Sequence, residues 1–154
     1  MKIKRVETPD EIEAVRRLFR EYEDYLDVDL CFQNFEEELA GLPGKYAPPD
    51  GLLLLAWEGS EAAGCGALRK LGEDTCEMKR LYVKPQFRGQ GLGIALAKRL
   101  IDGAADLGYA TMLLDTLDKL TEAMKIYESL GFVRTGPYYQ NPLAGAVYWK
   151  LILR

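Results

Sequence analysis

Between residues 52 and 83 the chain reverses twice within a few residues, and this limits the sheet it can build. Leu52 to Trp57 is an almost purely apolar run, followed by the turn Glu58-Gly59-Ser60-Glu61. Ala62 to Leu71 is a second strand of small residues containing Gly64 and Gly66, and Gly72-Glu73-Asp74 turns the chain again into Cys76–Val83. Parallel neighbours need a crossover of a dozen residues or more, and these turns leave no room for one. The segment is therefore an antiparallel meander.

The flanking segments complete an α/β (α+β) pattern. Lys2 to Val6 reads as a first strand. Thr8-Pro9-Asp10-Glu11 is a helix start with a capping box and a proline at the first turn. Ile12, Val15, Leu18, Phe19, Tyr22, Tyr25 and Leu26 follow at helical spacing. Asn34, with Glu37 three positions on, reads as the cap of a short helix through Leu39. After Val83 a helix is expected from about Gly91 to Leu107, then a strand from Ala110 to Leu114. Asp118 is placed to cap a helix through Leu130, and two last strands fall at Phe132–Arg134 and Val147–Leu153. No repeat or linker divides the 154 residues, so 1–154 reads as one domain.

Composition narrows the function classes. Lys plus Arg is 20 and Asp plus Glu is 24, a net charge of −4 that lacks the basic footprint of a nucleic-acid binder. The N-terminal residues carry charge without an apolar run behind them, and the Leu52–Trp57 run is too short to span a bilayer. A cytoplasmic protein without membrane association is expected. Cys31, Cys65 and Cys76 are odd in number and lack metal-ligand spacing, so they read as buried thiols, with no metal expected. Histidine is absent altogether. That removes Ser-His and Cys-His nucleophiles and most catalytic zinc sites, and it leaves carboxylates, Tyr, Lys, Cys or water as proton carriers.

The segment most charged with chemistry is Arg88-Gly89-Gln90-Gly91-Leu92-Gly93. A helix N-terminus exposes unsatisfied N–H groups and a partial positive charge, and glycines let an anion approach the backbone. Arg88 adds a charge nearby. The alternative is a loop whose glycines only serve tight turns. Two other phosphate loops compete. The Walker pattern Gly-x-x-x-x-Gly-Lys-(Ser/Thr) is absent. A dinucleotide-binding oxidoreductase fingerprint finds an acid at Asp115, but position 94 is Ile where glycine is required, and the loop follows a meander.

At these residues the sequence resembles the GNAT superfamily of N-acetyltransferases. Arg88 to Gly93 fits that family's (Arg/Gln)-x-x-Gly-x-(Gly/Ala) signature. The likeness extends upstream through Lys79-Arg80-Leu81-Tyr82-Val83-x-Pro and downstream through Ala123-Met124-Lys125-Ile126-Tyr127-Glu128-Ser129-Leu130-Gly131-Phe132. The resemblance implies a mixed, mostly antiparallel sheet of six or seven strands with about four helices, splayed between strands 4 and 5. It implies acetyl-CoA as cosubstrate, with the pyrophosphate on the backbone of Arg88, Gly89, Gln90, Gly91, Leu92 and Gly93. The pantetheine arm would pair with Leu81, Tyr82 and Val83, and Ala123 would border the cofactor. The acetyl group would pass directly to an amine. A non-catalytic acyl-CoA sensor is the rival reading, and a homodimer is compatible with either.

The resemblance also suggests roles. Tyr127 matches the position that protonates the departing thiolate, the alternative being a core tyrosine beside Phe132. Glu77 matches a general-base position, the alternative being a carboxylate paired with Lys79 or Arg80. A backbone N–H near Tyr82 or Val83 would face the acetyl oxygen. Where many relatives carry an asparagine after the fifth strand, this chain has Thr116-Leu117-Asp118. The acceptor, a small-molecule or peptide amine, is expected among Tyr25, Asp29, Phe32, Gln33, Tyr46, Tyr138, Tyr139 and Asn141. Arg69 or Arg80 would suit a substrate carboxylate, and Asp29 or Glu37 a second amine.

Overall fold

The capping box foreseen at the first helix is built from hydrogen bonds in the computed structural model, which describes residues 1–154 apart from the side chain of Phe32. Strand β1 (Lys2–Arg5) leads into α1 (Pro9–Leu26). Thr8 Oγ1 accepts the Glu11 N–H at 3.2 Å, and Glu11 Oε1 accepts the Thr8 and Glu7 N–H groups at 2.9 and 2.8 Å. Lys4 Nζ lies 2.6 Å from the other Glu11 oxygen, which ties the strand to the helix start. Helix α2 (Phe35–Ala40) starts differently from the expectation. Asn34 gives it no side-chain cap bond and sits in a left-handed conformation, φ 58°. Asn34 closes the preceding 3-10 turn Cys31–Gln33, its N–H bonded to the Cys31 carbonyl at 2.9 Å, whereas a cap needs extended backbone.

Strands β2 (Leu52–Glu58), β3 (Glu61–Lys70) and β4 (Thr75–Val83) form the meander. Helix α3 (Leu92–Asp106), β5 (Thr111–Leu117), α4 (Thr121–Ser129), β6 (Val133–Thr135) and β7 (Ala146–Ile152) complete the chain. The sheet order is β1-β2-β3-β4-β5-β7-β6, antiparallel throughout except for the parallel pair β4–β5. Asp118 does not cap α4, which begins at Thr121 after Leu120. The reason lies in β5, which runs to Leu117, three residues past the expected end. The Asp118 N–H then bonds the Gly145 carbonyl at 2.8 Å, so the chain is still following β7 at that point.

The apolar run of β2 is explained by two cores. Leu52, Leu54 and Ala56 pack with Leu96, Leu100 and Met112 on the side of α3 and α4. Leu53 and Leu55 pack with Val15, Leu18, Phe19 and Phe35 on the side of α1 and α2. A strand covered on both faces reads as continuous hydrophobicity rather than alternation. Small residues in β3 bring α3 close: a Cβ on Gly66 would lie 2.9 Å from Leu100 Cδ1. No helix is long and apolar enough to cross a membrane. Cys65 and Cys76 are buried as expected, whereas Cys31 is exposed in its 3-10 turn.

Two features of β4 shape the site. Its pairing with β5 is short, with Thr75, Cys76 and Glu77 opposite Thr111, Met112 and Leu113. Beyond Glu77 the strands part, because β5 continues along β7 to Leu117 while β4 stays with β3. The second feature is a bulge. Cys65 pairs with Tyr82 and Ala67 with Lys79, so Gly66 faces both Arg80 and Leu81. Arg80 takes the left-handed conformation there, φ 61°.

Candidate active site

The fork opened by the parting strands is a narrow cleft. Met78 to Leu81 form one wall, Asp115 to Leu117 the other, and Tyr127, Tyr22 and Leu26 border it. Because β4 has lost its β5 partner from Met78 onward, that edge of the strand has main-chain groups to offer an extended ligand. The bulge at Arg80 turns them further.

The glycine loop lies beyond the end of β4, after the 3-10 turn Pro85–Phe87. Gly89 and Gly91 both have φ 80°, a conformation that side chains disfavour, and a Cβ on either would meet open space. Gly91 is the residue before α3, and its carbonyl accepts the Ala95 N–H at 3.0 Å. The N–H groups of Leu92, Gly93 and Ile94 therefore lie in the first helical turn, where the helix itself supplies no acceptor. Gly93 lets this end of α3 approach α4, since a Cβ there would lie 3.3 Å from Ile126 Cδ1. Arg88 stands at the end of β4. Its Nε donates to the Val83 carbonyl at 2.9 Å and its guanidinium stacks 4.4 Å from the Tyr25 ring centroid. Aromatic stacking and a carbonyl acceptor hold it on the end of β4 rather than free beside the helix end.

Glu77 sits at the crotch of the fork and is buried. Arg69 Nε donates to its Oε1 at 2.8 Å, the Tyr138 hydroxyl donates to its Oε2, and Lys79 Nζ lies 3.9 Å away. Lys79 in turn donates to Gln33 Oε1 at 3.1 Å, and Gln33 Nε2 donates to the Tyr139 hydroxyl at 3.2 Å. The Tyr139 hydroxyl donates to Asp115 Oδ2 at 2.6 Å, and Asn141 Nδ2 donates to the same oxygen at 3.2 Å. The loop between β6 and β7 is thus anchored onto two carboxylates, one on each arm of the fork. Alternation along the strands puts Glu77, Lys79 and Asp115 on the face covered by α1 and α2. The rings of Tyr138, Tyr139 and Tyr148 pack against one another beside them.

Tyr127 rises from α4 on the other side, one turn after Ala123, with its ring against Phe132 and Trp149. Burial pushes its hydroxyl pKa up, so it keeps its proton at neutral pH. Tyr138 and Tyr139 are shifted the same way by burial and by the carboxylates they bond. Burial, and then the charge of Arg80, push the Lys79 pKa down.

A second, wider hollow of about 460 Å³ opens beyond Glu77 toward α2. Gln33, Glu37, Tyr46, Arg69, Lys79 and Tyr139 line it, and Gln33 and Lys79 border both spaces. Asp29 is not brought there. It is exposed and accepts the Cys31 N–H at 2.9 Å, closing its own turn. The Phe32 side chain lies outside the described residues. Tyr25 stands over Arg88 instead of the hollow. Arg80 is also committed elsewhere, since its Nε and Nη2 each donate to Glu38 at 2.9 Å and Phe35 lies under it. Sequence reasoning named Lys79 as a partner of Glu77 but missed the Glu38 partner of Arg80 and the Asp115 anchor of Tyr139 and Asn141. The available signal was charge inside strands otherwise apolar, such as Asp115 in Met112–Leu117. Among the described residues no cluster of His, Cys, Asp or Glu is placed to hold a metal.

Comparison with known proteins agrees with this geometry. The profile of the Acetyltransferase (GNAT) family matches residues 12–132. An uncharacterized N-acetyltransferase of Schizosaccharomyces pombe is 44 % identical over 97 % of this chain and 93 % of its own. Among solved structures, an acetyltransferase from Streptococcus agalactiae superposes with a TM-score of 0.83 at 22 % identity, covering 98 % of this chain and 97 % of that one. An aminoglycoside 6'-N-acetyltransferase complexed with coenzyme A gives 0.75 at 17 % identity, covering 100 % and 98 %. The splayed sheet and the matched span leave one assignment: this chain belongs to the GNAT family of acetyltransferases.

Proposed function

We propose that the protein is an acetyl-CoA-dependent N-acetyltransferase acting on a primary amine of a small molecule or peptide. The observation that carries this reading is the pairing of two proton-handling groups across one fork. Glu77 lies at its closed end and Tyr127 on its far wall, with an unpaired strand edge between them. The first turn of α3 suits a pyrophosphate, because its N–H groups and helix dipole favour negative charge and Gly89 and Gly91 put no Cβ in the way. The free edge of β4 from Leu81 to Val83 suits an amide-containing arm.

In this reading the amine enters from the hollow beside α2. Glu77 takes its proton, directly or through water, because an ammonium has no lone pair to donate. The amine nitrogen then bonds to the acetyl carbon and the bond from that carbon to sulfur breaks. A backbone N–H after the bulge, near Tyr82 or Val83, faces the acetyl oxygen. Tyr127 gives its proton to the departing sulfur and regains one as the nitrogen sheds its second proton to become the amide, while the proton taken by Glu77 passes to solvent. The products are an N-acetylated amine, free CoA and one released proton.

A sensor module would need the binding half alone. The presence of Glu77 and Tyr127 together favours an enzyme. The test is thiol release from acetyl-CoA across a panel of amino acids, diamines, aminoglycosides and peptides, with mass spectrometry of the products. Amine-dependent release with an acetyl group on nitrogen supports the reading. Tight acetyl-CoA binding with no release from any member of the panel would favour the sensor.

A further inference from the structure

The hollow beside α2 has on its floor a cation with hydrogen-bond donors to spare. Of the ionic side chains around it, Glu38 and Arg80 cancel in a two-bond pair that leaves neither available to a ligand. Glu37 and Lys45 oppose each other at the exposed rim. On the floor Glu77 is met by Arg69 at 2.8 Å and Lys79 at 3.9 Å, and Lys79 also feels the charge of Asp115. Arg69 uses one N–H of its five donors there, and its side chain is 25 % exposed to the hollow. Its remaining donors form the planar fork that matches a carboxylate.

We infer that the acceptor carries its own carboxylate, bound by Arg69 with Lys79 behind it, so that the substrate class is an amino acid rather than a diamine or polyamine. This rests on the N-acetyltransferase reading above. A second ammonium could not use the spare Arg69 donors, whereas a carboxylate would accept from them. It would also relieve Lys79, a buried cation that an added anion stabilises. The chemistry at the nitrogen is unchanged; the carboxylate only positions the amine relative to Glu77.

The test compares each proteinogenic amino acid with its own carboxamide, which keeps shape and amine but removes the negative charge. Putrescine, cadaverine and spermidine serve as carboxylate-free amines. For the acids that are acetylated, kcat/KM should exceed that of the amide by about tenfold or more, the worth of one charge-assisted hydrogen bond. Arg69→Gln should raise KM for the acid by a similar factor and leave KM for the amide nearly unchanged, while Arg69→Lys should recover part of the loss. If Arg69 served only to hold Glu77, the variant would lower kcat for acid and amide alike, which would overturn the inference. Preference for amides or polyamines overturns it too and leaves the acetyltransferase reading standing. Absence of acetylation in the whole panel overturns the inference, and release with an aminoglycoside or peptide would then leave the acetyltransferase reading standing.

Discussion

Tyr127 is the residue whose substitution separates chemistry from binding. Its ring is fixed by Phe132 and Trp149, so Tyr127→Phe removes one hydroxyl and little packing. The account predicts a fall in kcat of about a hundredfold, the usual range for a lost general acid, with KM for acetyl-CoA changed far less. Steady-state kinetics of the variant check it; an unchanged kcat would remove Tyr127 from the mechanism. The motif around them marked Tyr127 and Glu77 as candidates, and both lie beside the fork. The place of Arg80 was not legible. Its partner Glu38 is 42 positions away, and its φ of 61° follows from a bulge set by register with β3. Neither fact has a local signature. Asp29 shows the opposite case, a short-range bond from the Cys31 N–H that closes its own turn.

At the scale of elements, the start of α1 was readable because a capping box is local chemistry. Glu11 has its pKa lowered to about 2, first by the bond from Lys4 and then by the Thr8 N–H. A carboxyl whose folded pKa is depressed adds stability above its ordinary value of 4.5 and loses it as pH falls toward about 2. Glu11→Gln should therefore be less stable than the parent by about 0.5–1 kcal/mol at neutral pH, and the gap should close between pH 4.5 and about 2. Urea titrations across that range measure it, and a gap constant with pH would contradict the assignment. The start of α3 makes a different prediction. Gly91→Ala forces a Cβ into a left-handed conformation, at a cost of about 1 kcal/mol, and should weaken acetyl-CoA binding together with folding stability. Calorimetric titration of the variant reads the affinity. The starts of α2 and α4 misled because Asn34 and Asp118 are each taken up by a neighbouring element.

For the whole molecule, the meander and its turns made an antiparallel start certain from residue order. The parting of β4 and β5 was carried only by family resemblance, since no local pattern announces that β5 will stay with β7 after three pairs with β4. The fork that results is the centre of the account, which proposes it as the cleft where coenzyme A meets an amine. Thermal unfolding with added ligand tests that directly. Acetyl-CoA at a hundred times its Kd should stabilise the folded protein by about 2.7 kcal/mol. NAD, the ligand of the competing glycine-loop fingerprint, should leave the unfolding temperature unchanged. Stabilisation by NAD with none from acetyl-CoA would contradict the account.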